Sequence, residues 1–359
     1  MARIKSNYFR SAFPAFIRGS RFMKAYEIQQ FGVENLALVE RETPRPQANE
    51  VVVKFHASSL NYRDLMMVQG AYNPKLKLPL VPFSDGAGEV VETGESVTKW
   101  KVGDRVCPAF MQGWIDGPVE YKKARTALGG DLDGCLREFG AFDENGLVRI
   151  PDHLSYEEAA TLPCAAVTAY HGLFVSGLLK PDDTVLLIGT GGVSIFGLQL
   201  ASVYGCRTII ISSSDEKLER AKELGANETI NYRETPDWDK AILDLTERRG
   251  VDHVVEVGGE KTIQKSLNAV KMGGHVVLIG ALTGGAPAEI SPVSIFMKSV
   301  RMQGIYVGSR QMFEQLNQLL CLHNHLKPVI DKVFPFGEAR EALKYMESAQ
   351  HFGKIVVKI

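Results

Sequence analysis

The chain has 359 residues, 45% hydrophobic and 23% charged, proportions that exclude disordered and fibrous classes. No apolar run approaches the roughly 18 residues that a membrane-spanning helix needs, and 41 basic against 42 acidic residues leave no positive surplus for gripping nucleic acid. The length points to two domains. Five cysteines, Cys107, Cys135, Cys164, Cys206 and Cys321, form no CxxC pair, so neither a disulfide framework nor a structural zinc site is expected, and a reducing compartment is the default.

Residues 1–22 carry Arg3, Lys5, Arg10, Arg18 and Arg21 and no acid, with Phe9, Phe13, Phe16 and Phe22 among serines. Two readings stay open. One is a mitochondrial presequence, which places the protein in the matrix; the other is an arm ahead of Met23 on a cytoplasmic protein. From Met23 to about 156 the pattern is strand-rich and irregular. Val51, Val53 and Phe55 alternate with Val52 and Lys54 as in a half-buried strand, and further short strands are expected at Gly86–Thr93 and Val102–Ala109.

The texture changes over 157–307. Thr184–Ile188, Arg207–Ile211, His253–Val257 and His275–Ile279 are short, continuously apolar, β-branched runs. Amphipathic helices are expected between them near 193–204, 215–224, 237–248 and 260–270. That alternation predicts a doubly wound parallel sheet covered on both faces, closed by a strand over Val300–Val307. Helices near 311–322 and 337–348 and a strand at Lys354–Lys358 follow. This strand must pair somewhere, and the N-terminal β region is the natural host. The expected architecture is therefore a parallel α/β domain at 157–307, inserted between 23–156 and 308–359 of a β-rich domain.

The strongest chemical signal follows the first parallel strand: Gly189-Thr190-Gly191-Gly192-Val193-Ser194, then a helix. Gly189 permits the tight turn, and Gly191 lets the backbone approach a pyrophosphate resting on the helix N-terminus. Ser194 replaces the third glycine, whose task is packing, so a small residue suffices. A nucleophile elbow is excluded because Phe196 stands where that motif needs glycine. A dinucleotide is thus the expected ligand. The second strand ends in Ser212, Ser213 and Ser214, where NAD enzymes carry an acid for the ribose 2′-hydroxyl. Those hydroxyls, with Lys217 and with Tyr232 and Arg233 after the next short strand, suit a 2′-phosphate, so NADP(H) is expected over NAD(H). Ser214 or Asp215 also suits the start of the following helix as a cap.

The glycine turn, the segment Phe83-Ser84-Asp85-Gly86-Ala87-Gly88-Glu89-Val90, the stretch Val102-Gly103-Asp104-Arg105-Val106 and the closing Gly353-Lys354-Ile355-Val356 together resemble the medium-chain dehydrogenase/reductase superfamily over 23–359. The nearest likeness is to its zinc-independent, quinone oxidoreductase-like branch. The resemblance implies a GroES-like β-rich catalytic domain, a Rossmann domain and a homodimer. Zinc members hold the catalytic metal through a cysteine, a histidine and a second cysteine, and those positions look to correspond to Asn61, Ser84 and Cys164. An amide and an alcohol are poor zinc ligands, so no metal is expected, and Cys164 reads as a packed residue. Cys321, His323 and His325 read as polar residues at a helix end.

Hydride transfer builds negative charge on a carbonyl oxygen. Without a Lewis acid, O–H or N–H donors must meet it. Conjugate reduction of an α,β-unsaturated carbonyl, or reduction of a quinone, spreads that charge and suits a metal-free site. The candidate catalytic residues are Asn61, Tyr62 and Asp64, at the start of a short helix after the Val51–Leu60 strand, and Tyr72, a proton donor in resembling enoyl reductases. Packing roles for Tyr62 and an Arg63–Asp64 ion pair stay open, and Ser84 and Asp85 are expected to orient the donors. The resemblance adds Thr168 near the nicotinamide. The ends of the fourth and fifth parallel strands, with Gly280, Leu282, Tyr306 and Val307, should border the ring, and Arg310 is a further phosphate candidate. The partner expected is a small carbonyl or quinone substrate. A metal-free alcohol dehydrogenase or carbonyl reductase is the alternative within enzymes. A non-catalytic NADPH-binding scaffold is the alternative outside them, disfavoured by polar donors beside the ring.

Overall fold

The computed structural model describes residues 21–282 and 289–359. All but the last two residues of the basic arm lie outside the described residues. Two strands, β1 (Phe22–Ile28) and β2 (Leu36–Glu42), form an antiparallel ribbon. The catalytic sheet then takes β3 (Glu50–Ser59), β4 (Asp85–Thr93), β5 (Arg105–Pro108), β6 (Phe139–Asp143) and β7 (Leu147–Arg149). The parallel region supplies β8 (Thr184–Ile188), β9 (Arg207–Ser212), β10 (Glu228–Asn231), β11 (Val251–Glu256), β12 (Val270–Leu278) and β13 (Arg301–Gly304). The chain returns through β14 (Ile330–Pro335) to β15 (Lys354–Lys358).

The parallel sheet has the order β10-β9-β8-β11-β12-β13, so the strand order reverses between β8 and β11. Every residue of β8 is buried, because helices cover both faces. The apolar run TVLLI is what such a central strand requires, each fully buried aliphatic side chain contributing roughly 1.5–3 kcal/mol. The expected helices appear at Gly192–Val203, Asp215–Glu223, Trp238–Leu245 and Ile263–Ala269.

The second sheet runs β14-β15-β3-β4-β5-β7, with β6 also paired to β3. The last strand lies between β14, parallel, and β3, antiparallel, with Val356 opposite Ser59. Its host is the one expected. Two details differ. β3 is not half-buried: Val51, Val52 and Val53 are all inaccessible, because β4, β6 and β15 make it the middle of a sheet covered on both sides. The closing parallel strand stops at Gly304 rather than Val307: Ile305 N–H makes the last ladder bond, to the Leu278 carbonyl, and the Tyr306 and Val307 carbonyls face the His171 ring instead.

Candidate active site

Each parallel strand ends on the same side of its sheet, and the cofactor candidates follow those ends. After β8, Gly189 holds φ +77°, and a Cβ added to Gly189 or Gly191 would meet no atom within 4 Å. Open space beside a helix N-terminus is the cradle that a pyrophosphate needs. Gly191 caps the helix Gly192–Val203, and Ser194 Oγ donates to the Ile188 carbonyl at 2.7 Å, tying helix to strand as the third glycine position requires. Ser212 closes β9 and is buried. Ser214 Oγ accepts the Lys217 N–H at 3.4 Å and caps the following helix, while Asp215 accepts from Asn231 Nδ2. Lys217 Nζ donates to the Ala349 carbonyl, which docks it on the C-terminal segment, and Tyr232 N–H donates to Ser212 O.

After β11, the buried Glu256 carboxylate accepts from the N–H groups of Gly258 and Gly259 and from the Thr262 hydroxyl. It thereby shapes the loop against which Gly280 packs, where a Cβ would come 2.9 Å from the Val257 carbonyl. Leu282 N–H donates to that same carbonyl, and the Leu282 side chain is half exposed. Thr168 is buried in the helix Val167–Tyr170. The exception is Arg310. Its guanidinium donates to the Asn145 carbonyl and pairs with Glu314, and its backbone N–H bonds Trp114 O. Those partners tie it to packing in the catalytic domain.

Across the cleft, β3 ends and Asn61 caps the helix Tyr62–Val68. Asp64 is fully buried and serves as scaffold. One carboxylate oxygen accepts the Asn61 N–H at 2.8 Å and the other the Ser84 N–H at 3.2 Å. Burial raises its pKa to about 6, opposed by the neighbouring Arg63 guanidinium. With both oxygens turned to the backbone and no solvent access, Asp64 positions other groups and does not itself meet substrate. Asn61 Nδ2 donates to Ser84 Oγ at 3.3 Å, Ser84 Oγ donates to Asp85 Oδ1 at 2.9 Å, and Asp85 Oδ2 accepts the Cys164 N–H at 3.2 Å. The three positions matched to zinc ligands thus converge, joined through Asp85.

Zinc is the metal that the family implies, and these donors do not fit it. Asn61 Oδ1 accepts from Lys354, Asn61 Nδ2 faces Ser84 Oγ and Ser84 Oγ donates to Asp85, so the amide and the alcohol offer no anionic ligand, and burial pushes the Cys164 thiol up. Among the described residues no cluster of three His, Cys, Asp or Glu side chains is placed to hold a metal. His323 and His325 stand edge to face beyond the helix Arg310–Leu322, and Cys321 is exposed on its last turn.

Tyr62 and Tyr72 are both half exposed. The Arg63 guanidinium lies between the rings of Tyr72 and Phe110, 5.4 and 4.9 Å from their centroids, and donates to the Leu128 carbonyl. Its separation from Asp64 is 3.9 Å, the loose ion pair left open above. One residue was not picked out as part of this site. Lys354, 3% exposed, sends its ammonium to the Leu60 carbonyl and to Asn61 Oδ1, both at 2.6 Å. The signal was a lysine directly after a glycine, opening a strand whose next three residues are apolar. Gly353 has φ +77°, and its N–H donates to the Thr190 carbonyl at 2.9 Å, bridging the last strand to the glycine turn.

Comparison with known proteins agrees with this architecture. An alcohol dehydrogenase GroES-like domain family matches residues 47–152, and a zinc-binding dehydrogenase family matches 192–321. A zinc-type alcohol dehydrogenase-like protein of Schizosaccharomyces pombe is 44% identical over 335 residues, covering 91% of this chain and 96% of its own. A quinone oxidoreductase of Sus scrofa is 28% identical, covering 90% of this chain and 94% of its own. The crystal structure of a Sinorhizobium meliloti protein provisionally named an alcohol dehydrogenase superposes with a TM-score of 0.88 at 39% identity, covering 95% of this chain and 99% of its own. On these grounds the chain is an oxidoreductase that belongs to the medium-chain dehydrogenase/reductase superfamily.

Proposed function

We propose that this enzyme transfers hydride between NADPH and a quinone or an α,β-unsaturated carbonyl without a metal ion. The carrying observation is the donor set at the three zinc positions: an amide, an alcohol and a single thiol, the first two hydrogen-bonded to each other. Bound NADPH would supply the hydride. The protein must then meet the negative charge that grows on the acceptor oxygen. A pre-aimed N–H or O–H donor is worth about 3–4 kcal/mol at such a point, less than a Lewis acid gives to an isolated alkoxide. Acceptors that delocalise the charge need less help. The name of the porcine relative supports a quinone acceptor. The name of the S. pombe relative favours the second reading, a saturated aldehyde or alcohol. NADPH over NADH is supported by the absence of an acid at the end of β9, where Ser212 stands.

The test is NADPH oxidation with a quinone, an enone and a saturated aldehyde, each before and after chelation. Turnover of the first two, unchanged by chelator, is expected. Turnover confined to the aldehyde and abolished by chelator would sink the proposal, and tight NADPH binding with no turnover would favour the scaffold.

A homodimer is part of the same proposal. β13 lies at one end of the parallel sheet, and close by in sequence Val293, Phe296 and Met297 are exposed, at 55%, 64% and 64%. Apolar side chains beside an open strand edge favour pairing with a second copy. Light scattering should give twice the 39.6 kDa chain mass; a monomer at micromolar concentration contradicts it.

A further inference from the structure

Lysine is rarely buried without a task, since an ammonium taken out of water costs several kcal/mol unless hydrogen-bonded and paired. Lys354 is held on every side. Gly353 is bridged to Thr190, Leu60 N–H donates to the Ile355 carbonyl, and the Lys354 Cδ lies where a Cβ on Gly192 would intrude at 2.5 Å. The ammonium is thereby locked between the cofactor turn and Asn61.

We propose that Lys354 is a positioning residue that fixes and polarises the Asn61 amide, through which a buried positive charge acts on the reacting oxygen. The inference rests on the metal-free reading above. Because Asn61 Oδ1 accepts from Lys354, the amide has one permitted orientation; the flipped one would set NH2 against the ammonium. Nδ2 is turned to Ser84 Oγ at 3.3 Å, with the Asp85 carboxylate as a second acceptor beside it, so a ligand oxygen would take its hydrogen bond in exchange for one of these. A cation on the carbonyl side draws electrons from the amide nitrogen and strengthens that N–H as a donor. Ser84 and the buried Asp85 anchor the opposite side and balance the charge. No proton moves in this role.

The test is a double-mutant cycle in the full-length enzyme: Lys354→Met, Asn61→Ala and both together. It is read with whichever acceptor the wild type reduces, alongside NADPH Kd by fluorescence. Lys354→Met should lower kcat about 30–100-fold, with acceptor KM and NADPH Kd within about threefold. The double variant should be no more than about threefold slower than the slower single one, because the second loss is contained in the first. Lys354→Gln, which keeps donors but no charge, should show the same kcat loss and provides the comparison if the Met variant does not fold. Multiplicative losses, an unchanged kcat, or a loss confined to NADPH affinity would overturn the proposal, the last pointing to a clamp on the cofactor turn. A wild type active only on saturated aldehydes overturns the conjugated-acceptor reading instead, and the cycle is then read with the aldehyde. A wild type that turns over no acceptor overturns both.

Discussion

Gly191→Val is expected to raise the NADPH Kd at least about 100-fold, about 2.7 kcal/mol, while shifting Tm by no more than about 2 °C. The two halves of that expectation come from one observation. A Cβ at Gly191 meets nothing within 4 Å, and the residue has φ −79° and ψ −179°, a conformation open to any side chain. The folded protein should therefore accept the substitution. The space that valine fills is the approach to the helix N-terminus at Gly192, where pyrophosphate oxygens meet backbone N–H groups. Calorimetric titration with NADPH, paired with a thermal melt, checks both. Unchanged affinity would remove the pyrophosphate from this turn, and a collapsed melt would show that the glycine serves folding.

Ser212→Asp is expected to weaken NADPH roughly 100-fold while NADH changes less than about threefold. The serine ends β9 and its carbonyl receives the Tyr232 N–H, which sets the end of β9 beside the turn after β10, the two segments expected to flank the adenosine ribose. A carboxylate about 10 Å from a phosphate of nearly two negative charges already costs on the order of 3 kcal/mol at an effective dielectric near 20, and more at closer range. The same carboxylate can accept the ribose hydroxyls of NADH. Parallel titrations with the two cofactors decide it. Equal losses would mean that the 2′-phosphate lies elsewhere and that Ser213, Ser214 and Lys217 serve only the helix that Ser214 caps.

The parallel sheet was legible because its strands are buried on both faces, so TVLLI or RTIII announces itself without knowledge of any partner. The glycine turn was legible because tight backbone geometry restricts residue type. The position of Asn61 could be read from the sequence, but not all of its partners could. The resemblance had already grouped it with Ser84 and Cys164 and expected Ser84 and Asp85 to orient the donors; Lys354 was missed, because it comes from the far end of the chain and meets Asn61 only when β15 docks on β3. The same holds for Arg310: its charge and its place after a strand end suggested a phosphate, while Asn145 and Glu314, which hold it, are visible only in three dimensions. Asp64 misled for a different reason. A carboxylate in a polar run looks reactive, but three residues after a cap it turns back to the backbone N–H of Asn61.

The insertion of β15 between β3 and β14 has a consequence for biosynthesis. The ammonium of Lys354 reaches the Leu60 carbonyl across 294 positions of sequence. As the polypeptide leaves the ribosome, the nascent catalytic sheet must wait with the Ala57–Ser59 end of β3 unpaired on the side away from β4, since β6 covers only Glu50–Lys54 there, until 354–358 have been made. The Rossmann domain in between, with its local βαβ contacts, can assemble first. The glycine turn and the Asn61 cluster are therefore joined in a single late event, when one short strand docks along β3 and touches that turn.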